Sequence, residues 1–336
     1  MIARYYTKKE DSNVTCELCP HNCHIKPDKS GACGVRNNIN GTLEVVCSGM
    51  IASSGLDPIE KKPLYHFFPG SKIFSVGGYG CNLKCAFCQN HDISQYIPER
   101  SNGWKLIQPN DLVLKAKVLP ENIGIAYTYN EPTVFFEFMV QTAELVKQEN
   151  LKNVMVSNGF INLKPLDELL ELIDAFNIDL KSFSDSFYHE LTGGRINPVL
   201  NTLSRIKDSG KHLEITFLVI PTKNDDPKDA NAMFTWIADN LGNDTVLHIN
   251  KYYPAYKMQI PPTSTAKLTE LYEMAKSRLK HVYVGNLHSE EMGCNTICPS
   301  CHATVIKRSG YHTAITALDS RGFCKICGYG PIATME

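Results

Sequence analysis

Three cysteines lie close together in a glycine-rich stretch, residues 77–90. Cys81, Cys85 and Cys88 form a Cys-x3-Cys-x2-Cys set directly after a short apolar run at 73–76. Three thiolates from one loop can hold three irons of a cubane cluster, whereas an ordinary electron-transfer cluster uses four cysteines. The spacing therefore predicts a 4Fe–4S cluster whose fourth iron is open to a substrate or cofactor. A structural zinc site needs four ligands, so zinc is disfavoured here, although His91, three residues on, could complete one.

Two further groups of four cysteines lie near the ends of the chain: Cys16, Cys19, Cys23 and Cys33, and Cys298, Cys301, Cys324 and Cys327. The N-terminal segment has few apolar residues, so a bound metal could supply its cohesion. Four thiolates suit zinc or a second iron–sulfur cluster. The spacing leaves both open, and a structural metal is the interpretation we favour slightly.

The C-terminal cysteines form two Cys-x2-Cys pairs that enclose strand-like runs at 304–307 and 312–318. This pattern is typical of a zinc ribbon. Rubredoxin-like iron and an auxiliary cluster are the alternatives. Zinc here would stiffen the segment or dock a partner. Cys47 and Cys294 fall outside all groups and are interpreted as small buried hydrophobic residues, although Cys294 lies close enough to the C-terminal group to compete as a ligand.

The composition is that of an ordinary globular protein, with 43% hydrophobic and 21% charged residues in 336 and a formal net charge of −1. Scattered Lys and Arg argue against a nucleic-acid partner. The chain has neither an apolar run near 18 residues nor a signal peptide, which predicts a cytoplasmic protein that does not enter the membrane. The 13 cysteines then indicate metal sites rather than disulfides.

Apolar β-branched runs alternate with helical patterns from residue 67 to 287. The predicted strands are 73–76, 123–128, 153–157, 175–180, 213–219 and 245–249, with an edge strand at 281–284. The predicted helices are 110–118, 132–148, 164–173, 197–209, 227–240 and 262–278. This alternation means parallel strands with right-handed crossovers. Six units are fewer than the eight of a closed barrel, which predicts an α/β protein with an open (β/α)6 partial TIM barrel.

Polar residues follow several of these strands. Glu131, Asn158 and Lys181 come after the second, third and fourth strands. Because chemistry in parallel α/β barrels takes place at the carboxyl ends of the strands, these side chains are predicted to share a site with the three cysteines. We predict three segments: a Cys-rich, metal-binding one at 1–66, the barrel core at 67–287 and a ribbon-like one at 288–336. The stretch 57–66 is predicted to be an ordered loop.

The cysteine triplet, with the aromatic Phe87 just before its third member, resembles the signature of radical S-adenosylmethionine (SAM) enzymes. The resemblance implies that the open iron binds the amino and carboxylate groups of SAM. It also implies that an electron from the cluster cleaves a C–S bond to give a 5′-deoxyadenosyl radical, with Phe87 near the adenine. An electron donor such as flavodoxin or ferredoxin and a partial-barrel fold follow from the same resemblance.

Within that family the core is similar to the glycyl-radical-enzyme activases, such as pyruvate formate-lyase-activating enzyme. The matching motifs are Asn130-Glu131-Pro132, Ser157-Asn158-Gly159 and Asp179-Leu180-Lys181. The similarity implies that SAM is bound by Asn130, Glu131, Ser157, Asn158, Asp179 and Lys181. Glu131 would contact the ammonium of SAM, while Asp179 and Lys181 would clamp the cofactor. Two departures stand out, because Tyr129 and Asn130 replace two glycines of the activases and Tyr256 replaces a histidine.

Over nearly its full length the chain is similar to the radical SAM member of the AmmeMemoRadiSam system. The stretches that carry this similarity are 16–23, 57–66, 80–90, 252–258 and the cysteine-rich end. It implies association with AMMECR-like and Memo-like proteins and does not imply a substrate.

The predicted function is an oxygen-sensitive enzyme that cleaves SAM reductively and abstracts a hydrogen atom from an unidentified substrate. One alternative is an activase that installs a glycyl radical on a partner protein. The other is a non-catalytic scaffold that carries zinc or clusters.

Overall fold

The computed structural model describes residues 1–98, 106–287 and 292–336. Residue 288, the predicted start of the C-terminal segment, lies outside them. The strands are β1 (Tyr6–Lys8), β2 (Val14–Cys16), β3 (His24–Ile25), β4 (Arg36–Ile39), β5 (Thr42–Val45), β6 (Ser53–Pro58), β7 (Lys72–Gly77), β8 (Asn122–Tyr127), β9 (Lys152–Ser157), β10 (Ala175–Asp179), β11 (His212–Val219), β12 (Val246–Lys251), β13 (Val282–Gly285), β14 (Thr296–Ile297), β15 (Thr304–Ser309) and β16 (His312–Ile315). The α-helices are α1 (His91–Ser94), α2 (Pro109–Val118), α3 (Phe136–Gln148), α4 (Leu163–Leu172), α5 (Asp185–Phe187), α6 (Ile196–Asp208), α7 (Pro227–Leu241) and α8 (Thr265–Lys276).

The largest sheet has eight strands in the order β13-β12-β11-β10-β9-β8-β7-β6. Strands β7 to β13 run parallel, and β6 is antiparallel to β7. Helices α2, α3, α4, α6, α7 and α8 connect successive parallel strands. The edge strands β6 and β13 do not pair with each other in the described part of the chain, so the sheet is open. The predicted open (β/α)6 partial barrel is confirmed.

All seven predicted core strands are present, because parallel strands buried on both faces leave continuous apolar runs in a sequence. Strand β6 was missed. The predicted loop at 57–66 is wrong at its start, where β6 ends and a 3-10 helix, Ile59–Lys61, follows. Strand β6 is an edge strand that is held by backbone pairing with β7. Its sequence is largely polar, so it lacks the apolar run by which the other strands were predicted.

Small sheets flank the core. Strands β1, β2 and β3 form one, β4 and β5 a hairpin, and β14, β15 and β16 another. The antiparallel pairing of β15 with β16 confirms the two predicted strand-like runs near the C-terminal cysteines. Within the described ranges, no helix is both long and apolar enough to cross a membrane.

A buried polar network closes the amino end of the barrel. The carboxylate of Glu214 on β11 accepts hydrogen bonds from the backbone N–H groups of Tyr65 and His66, at 2.9 and 2.7 Å. It also contacts the rings of His212 and His248, at 2.9 and 2.6 Å. The segment before β7 is thereby fixed inside the barrel, opposite the end where the predicted site lies.

Candidate active site

A cavity of about 550 Å³ lies at the carboxyl ends of the parallel strands. It brings together every residue that the core motifs single out: Cys81, Cys85, Phe87, Cys88, Asn130, Glu131, Ser157, Asn158, Asp179 and Lys181. These residues lie at the carboxyl ends of β9 and β10 or in the loops after β7, β8, β9 and β10. A cavity of this size is typical of small-molecule and cofactor sites.

The three cysteine sulfurs do not form the compact group that a single ion requires. Among the described residues, Cys81, Cys85 and Cys88 do not form a group of ligand atoms within 4.8 Å of one another, with or without His91. A single zinc needs its ligands that close, whereas each thiolate of a cubane binds a different iron. The imidazole of His91 instead stacks on Tyr256, with the ring centroids 4.7 Å apart. The donor set therefore fits a 4Fe–4S cluster.

Burial controls the acidity of these thiols. It raises the pKa of Cys85 to about 11 and that of Cys81 well above the ordinary range. A metal group must displace these protons on binding, since the thiolate is the ligand. The Cys81 sulfur already accepts a hydrogen bond from the Leu83 N–H at 3.3 Å, and the Asn158 amide nitrogen lies 3.6 Å from it.

Asn130 holds the glycine-rich turn that precedes the cysteines. Its side-chain oxygen accepts from the Gly78 N–H at 3.0 Å, and its nitrogen donates to the Gly80 carbonyl at 2.9 Å. An added Cβ at Gly77 would lie 2.7 Å from the Thr128 carbonyl oxygen, so only glycine permits this close approach. In this chain, Asn130 thus fastens the cluster loop to the end of β8.

Tyr129 adopts a left-handed backbone conformation, with a φ of 72°. This conformation favours glycine, and Tyr129 stands where the glycyl-radical-enzyme activases have a glycine. Two contacts hold Tyr129 in place: its hydroxyl donates to Asp57 at 2.6 Å, and its carbonyl accepts from the Asn90 amide at 2.7 Å. Strained backbone of this kind persists where the surroundings over-determine it, and it clusters at functional sites.

Glu131 is buried, and both of its carboxylate oxygens are occupied. One accepts from the Thr133 N–H and hydroxyl at 3.0 and 2.6 Å and from the Ser157 hydroxyl at 2.8 Å. The other accepts from the Asn158 N–H at 2.9 Å. Burial raises the pKa of Glu131, against the lowering effect of these donors. The carboxylate caps the 3-10 turn Pro132–Phe135 that begins the predicted helix 132–148.

Asp179 and Lys181 form an ion pair on the cavity wall, with the Lys181 Nζ 2.8 Å from an Asp179 oxygen. Burial lowers the pKa of Lys181, but the charge of Asp179, the nearby Cys85 sulfur and the hydrogen bond to Asp179 outweigh this effect and shift the pKa upward. Lys181 therefore carries a positive charge beside the cysteine loop. Its backbone N–H donates to the hydroxyl of Tyr188 at 3.0 Å, in a π-helical turn that the sequence analysis missed.

Several cavity residues were not predicted. They are Lys61, Lys62, Thr128, Asn177, Thr216, Leu218, Asn250 and Asn286. Asn177, Thr216 and Asn250 are polar residues inside apolar strands, and this pattern could have indicated that they line a cavity. Lys62 is buried, with its Nζ 2.7 Å from Asp57.

The C-terminal cysteines fit one tetrahedral ion. The sulfurs of Cys298 and Cys327 lie 3.6 Å apart, those of Cys301 and Cys324 lie 3.7 Å apart, and all four lie within 4.8 Å of one another. Four sulfurs about 2.3 Å from a tetrahedral ion are roughly 3.8 Å apart. This group could therefore bind a metal.

Comparison with known proteins identifies the class. Residues 75–233 match the Radical SAM superfamily. An uncharacterised protein of Methanocaldococcus jannaschii is 39% identical over 329 residues, which cover 97% of each chain. The chain belongs to one family with this archaeal protein, and its residues 75–233 are a domain of the radical SAM superfamily. That superfamily implies a 4Fe–4S cluster and SAM as cofactors.

The pyruvate formate-lyase-activating enzyme of Listeria monocytogenes is 25% identical over 175 residues, which cover 50% of this chain and 70% of that one. Among solved structures, a radical SAM methyltransferase from Sphaerobacter thermophilus has a TM-score of 0.51 at 14% identity, over 65% of this chain and 67% of that one. At this identity, the structural likeness shows a shared fold alone.

Proposed function

We propose that the protein holds a 4Fe–4S cluster through Cys81, Cys85 and Cys88, binds SAM in the adjoining cavity and abstracts a hydrogen atom from a substrate. Cluster and SAM together supply a 5′-deoxyadenosyl radical when both are bound. The observation that carries this proposal is that three cysteines of one loop line a single cavity with the polar ends of three neighbouring strands.

The charges on the cavity wall suit the methionyl part of SAM. Lys181 is cationic and would pair with the carboxylate of SAM. Asp179 has a side chain that is 36% exposed and would accept the ammonium. The oxygens of Glu131 already accept four hydrogen bonds from the protein. We therefore assign Glu131 to positioning Ser157 and Asn158 rather than to the direct ammonium contact that the resemblance implied.

The decisive experiment is anaerobic. Protein reconstituted with iron and sulfide, then supplied with SAM and dithionite, should release 5′-deoxyadenosine, measured by liquid chromatography and mass spectrometry. Cys85→Ala should abolish the release, because the loop then offers only two thiolates. Cys47→Ala is the matched control, since Cys47 is buried outside the cavity and should leave the release unchanged. Fully reconstituted protein that leaves SAM intact would refute the proposal.

A second candidate function is that of an activase, which the similarity to pyruvate formate-lyase-activating enzymes over half of the chain favours. Such an enzyme would leave a glycyl radical on a partner protein. Electron paramagnetic resonance of a candidate partner after incubation would detect this radical. Its absence, together with consumption of SAM, would favour a small-molecule substrate.

We propose the AMMECR-like and Memo-like proteins as the first partners to test, with flavodoxin or ferredoxin as electron donor. If one of the two proteins is the substrate, adding it should increase the rate of 5′-deoxyadenosine release and should change its own mass. We also propose that the C-terminal cysteines bind zinc. The division of the chain into the three segments given above is likewise proposed.

A further inference from the structure

The four N-terminal cysteines line one small cavity of their own, away from the cavity described above. Arg36, Asn82 and Thr133 also line it. Asn82 directly follows Cys81, and Thr133 donates its hydroxyl hydrogen to Glu131 at 2.6 Å. The N-terminal cavity therefore borders the cluster loop and the residues that support the main cavity.

A backbone N–H group points at one of the four sulfurs. The Ala32 N–H donates to the Cys23 sulfur at 3.4 Å. Donors of this kind stabilise thiolates, which are the form that binds metals.

Arg36 adds an independent observation. Its side chain is buried, and its two terminal nitrogens donate to Glu137 and to the Arg4 carbonyl. Its Nε has no hydrogen-bond partner, although the residue lines the cysteine cavity. A buried donor without an acceptor is costly. A sulfur atom of a group bound in this cavity would supply the missing acceptor.

The spacing of the sulfurs distinguishes a cluster from a single ion. Within the described ranges, no three of the N-terminal cysteines form a group of ligand atoms within 4.8 Å, whereas the C-terminal four do. The cavity is small, about 20 Å³, so a cluster requires the surrounding loops to open. A zinc ion would instead require them to close until the sulfurs lie about 3.8 Å apart. Because these sulfurs do not form the compact group that one ion needs, the cluster is the occupant that we infer.

We propose that Cys16, Cys19, Cys23 and Cys33 hold a second iron–sulfur cluster of the 4Fe–4S type, to which the Arg36 Nε donates a hydrogen bond. Four cysteines leave no iron open, so this cluster would not bind SAM. A hydrogen bond to a cluster sulfur stabilises the more negative, reduced state, and Arg36 would therefore raise the reduction potential. The proposal is independent of the reaction proposed for the first cluster.

The test begins with a variant in which Cys81, Cys85 and Cys88 are all changed to Ala, so that the first site is removed. After anaerobic reconstitution with iron and sulfide, iron, sulfide and zinc are counted per chain. Adding Cys19→Ser and Cys23→Ser should remove about four further irons and four sulfides. Adding Cys47→Ser instead is the matched control and should remove none, since Cys47 is buried close to Cys33 but outside the proposed ligand set.

Loss of one zinc in place of the irons, or no change in metal content, would overturn the proposal. If the first site holds no cluster, the variant with Cys81, Cys85 and Cys88 changed to Ala will contain as much iron as the unmodified protein. That outcome would contradict the proposed function but not this inference, so the two failures can be told apart. Arg36→Lys provides a measurement on intact ligands. It keeps the charge near Glu137 but lacks the Nε donor, so the midpoint potential of the second cluster should move to more negative values. An unchanged potential would contradict the assigned hydrogen bond.

Discussion

The carboxylate of Glu131 accepts a hydrogen bond from the backbone N–H of Asn158 at 2.9 Å. This contact joins the carboxyl ends of β8 and β9. The side chain of Asn158 then donates to the Asn82 side-chain oxygen at 2.9 Å, next to Cys81. A continuous chain of hydrogen bonds therefore connects Glu131 with the loop that carries the cysteines.

Glu131→Gln should weaken SAM binding. The substitution keeps the size of the side chain but turns one acceptor oxygen into a donor, which then faces an N–H or hydroxyl donor of Thr133, Ser157 or Asn158. Loss of one charge-assisted hydrogen bond of about 1.5–3 kcal/mol corresponds to roughly a tenfold to hundredfold change. Equilibrium dialysis of SAM against the reconstituted protein measures it. Glu121→Gln, at an exposed position, is the control, and equal affinities in the two variants would contradict the positioning role.

Asn130→Ala should increase the rate at which the cluster loses iron, although it removes no cluster ligand. The variant loses both side-chain hydrogen bonds to the Gly78–Gly80 turn, at 3.0 and 2.9 Å. We expect iron to pass to a chelator several times faster than in the unmodified protein, as followed by absorbance near 400 nm. Asn240→Ala, on the exposed face of α7, should lose iron at the ordinary rate. Equal rates in both variants would show that Asn130 does not secure the loop.

Lys181→Met should raise the KM for SAM more than it lowers kcat. The variant removes the cationic partner of Asp179 but keeps the length of the side chain. If Lys181 pairs with the SAM carboxylate, the loss of about 1.5–3 kcal/mol corresponds to roughly a tenfold to hundredfold increase in KM. Lys276→Met, on the exposed surface of α8, is the matched control. A variant whose KM equals that of the control would exclude this pairing.

Stability should fall as the pH falls from about 6.5 to about 4. Burial lowers the pKa of His281 from 6.5 to about 4, so in this window the unfolded chain binds a proton that the folded chain does not. The stabilising difference is lost progressively as the pH falls, at about 1.4 kcal/mol per pH unit. Urea unfolding at pH 4.5, 5.5 and 7.5 measures the slope.

His281→Gln should flatten this slope without abolishing it. Burial also lowers the pKa of the neighbouring His66, which contributes in the same direction. Glu214 has a pKa held well below its ordinary value of 4.5 by His212 and His248, despite its burial. Its contribution is present above pH 4.5 and is lost only below the lowest pH of this experiment. An identical slope in the variant would contradict the assignment to His281.

Cys301→Ser should remove one metal ion from the C-terminal group, because three thiolates and a hydroxyl bind zinc more weakly than four thiolates. The ribbon is anchored through Arg308, whose Nη2 donates to the Tyr65 carbonyl at 2.6 Å. We expect loss of zinc by elemental analysis and faster proteolysis after residue 292, with 5′-deoxyadenosine release retained. Cys294→Ser, outside the group, should keep its zinc. Equal zinc in the two variants would contradict the site.

Local pattern alone determined a large part of this protein. The seven parallel strands follow from apolar runs, because burial on both faces removes the polar alternation that an exposed strand needs. The cysteine triplet indicated a cluster for an equally local reason, since one loop offers three ligands. In parallel α/β barrels, functional residues lie at the carboxyl ends of the strands. This rule predicted that Asn158, Asp179 and Lys181 share one site, and all three line the same cavity.

Tertiary structure decided what each of these residues does. Strand β6 has no apolar signal and exists because β7 offers an edge with which it pairs. The turn around Tyr188, the buried Lys62 and the four donors around Glu131 depend on contacts between residues far apart in the chain. The two terminal cysteine groups followed the same principle. The four C-terminal sulfurs lie within 4.8 Å of one another, although 22 residues separate the two Cys-x2-Cys pairs, whereas no three of the N-terminal cysteines form such a group in the described part of the chain. Sulfur–sulfur distances are set by how the surrounding loops pack.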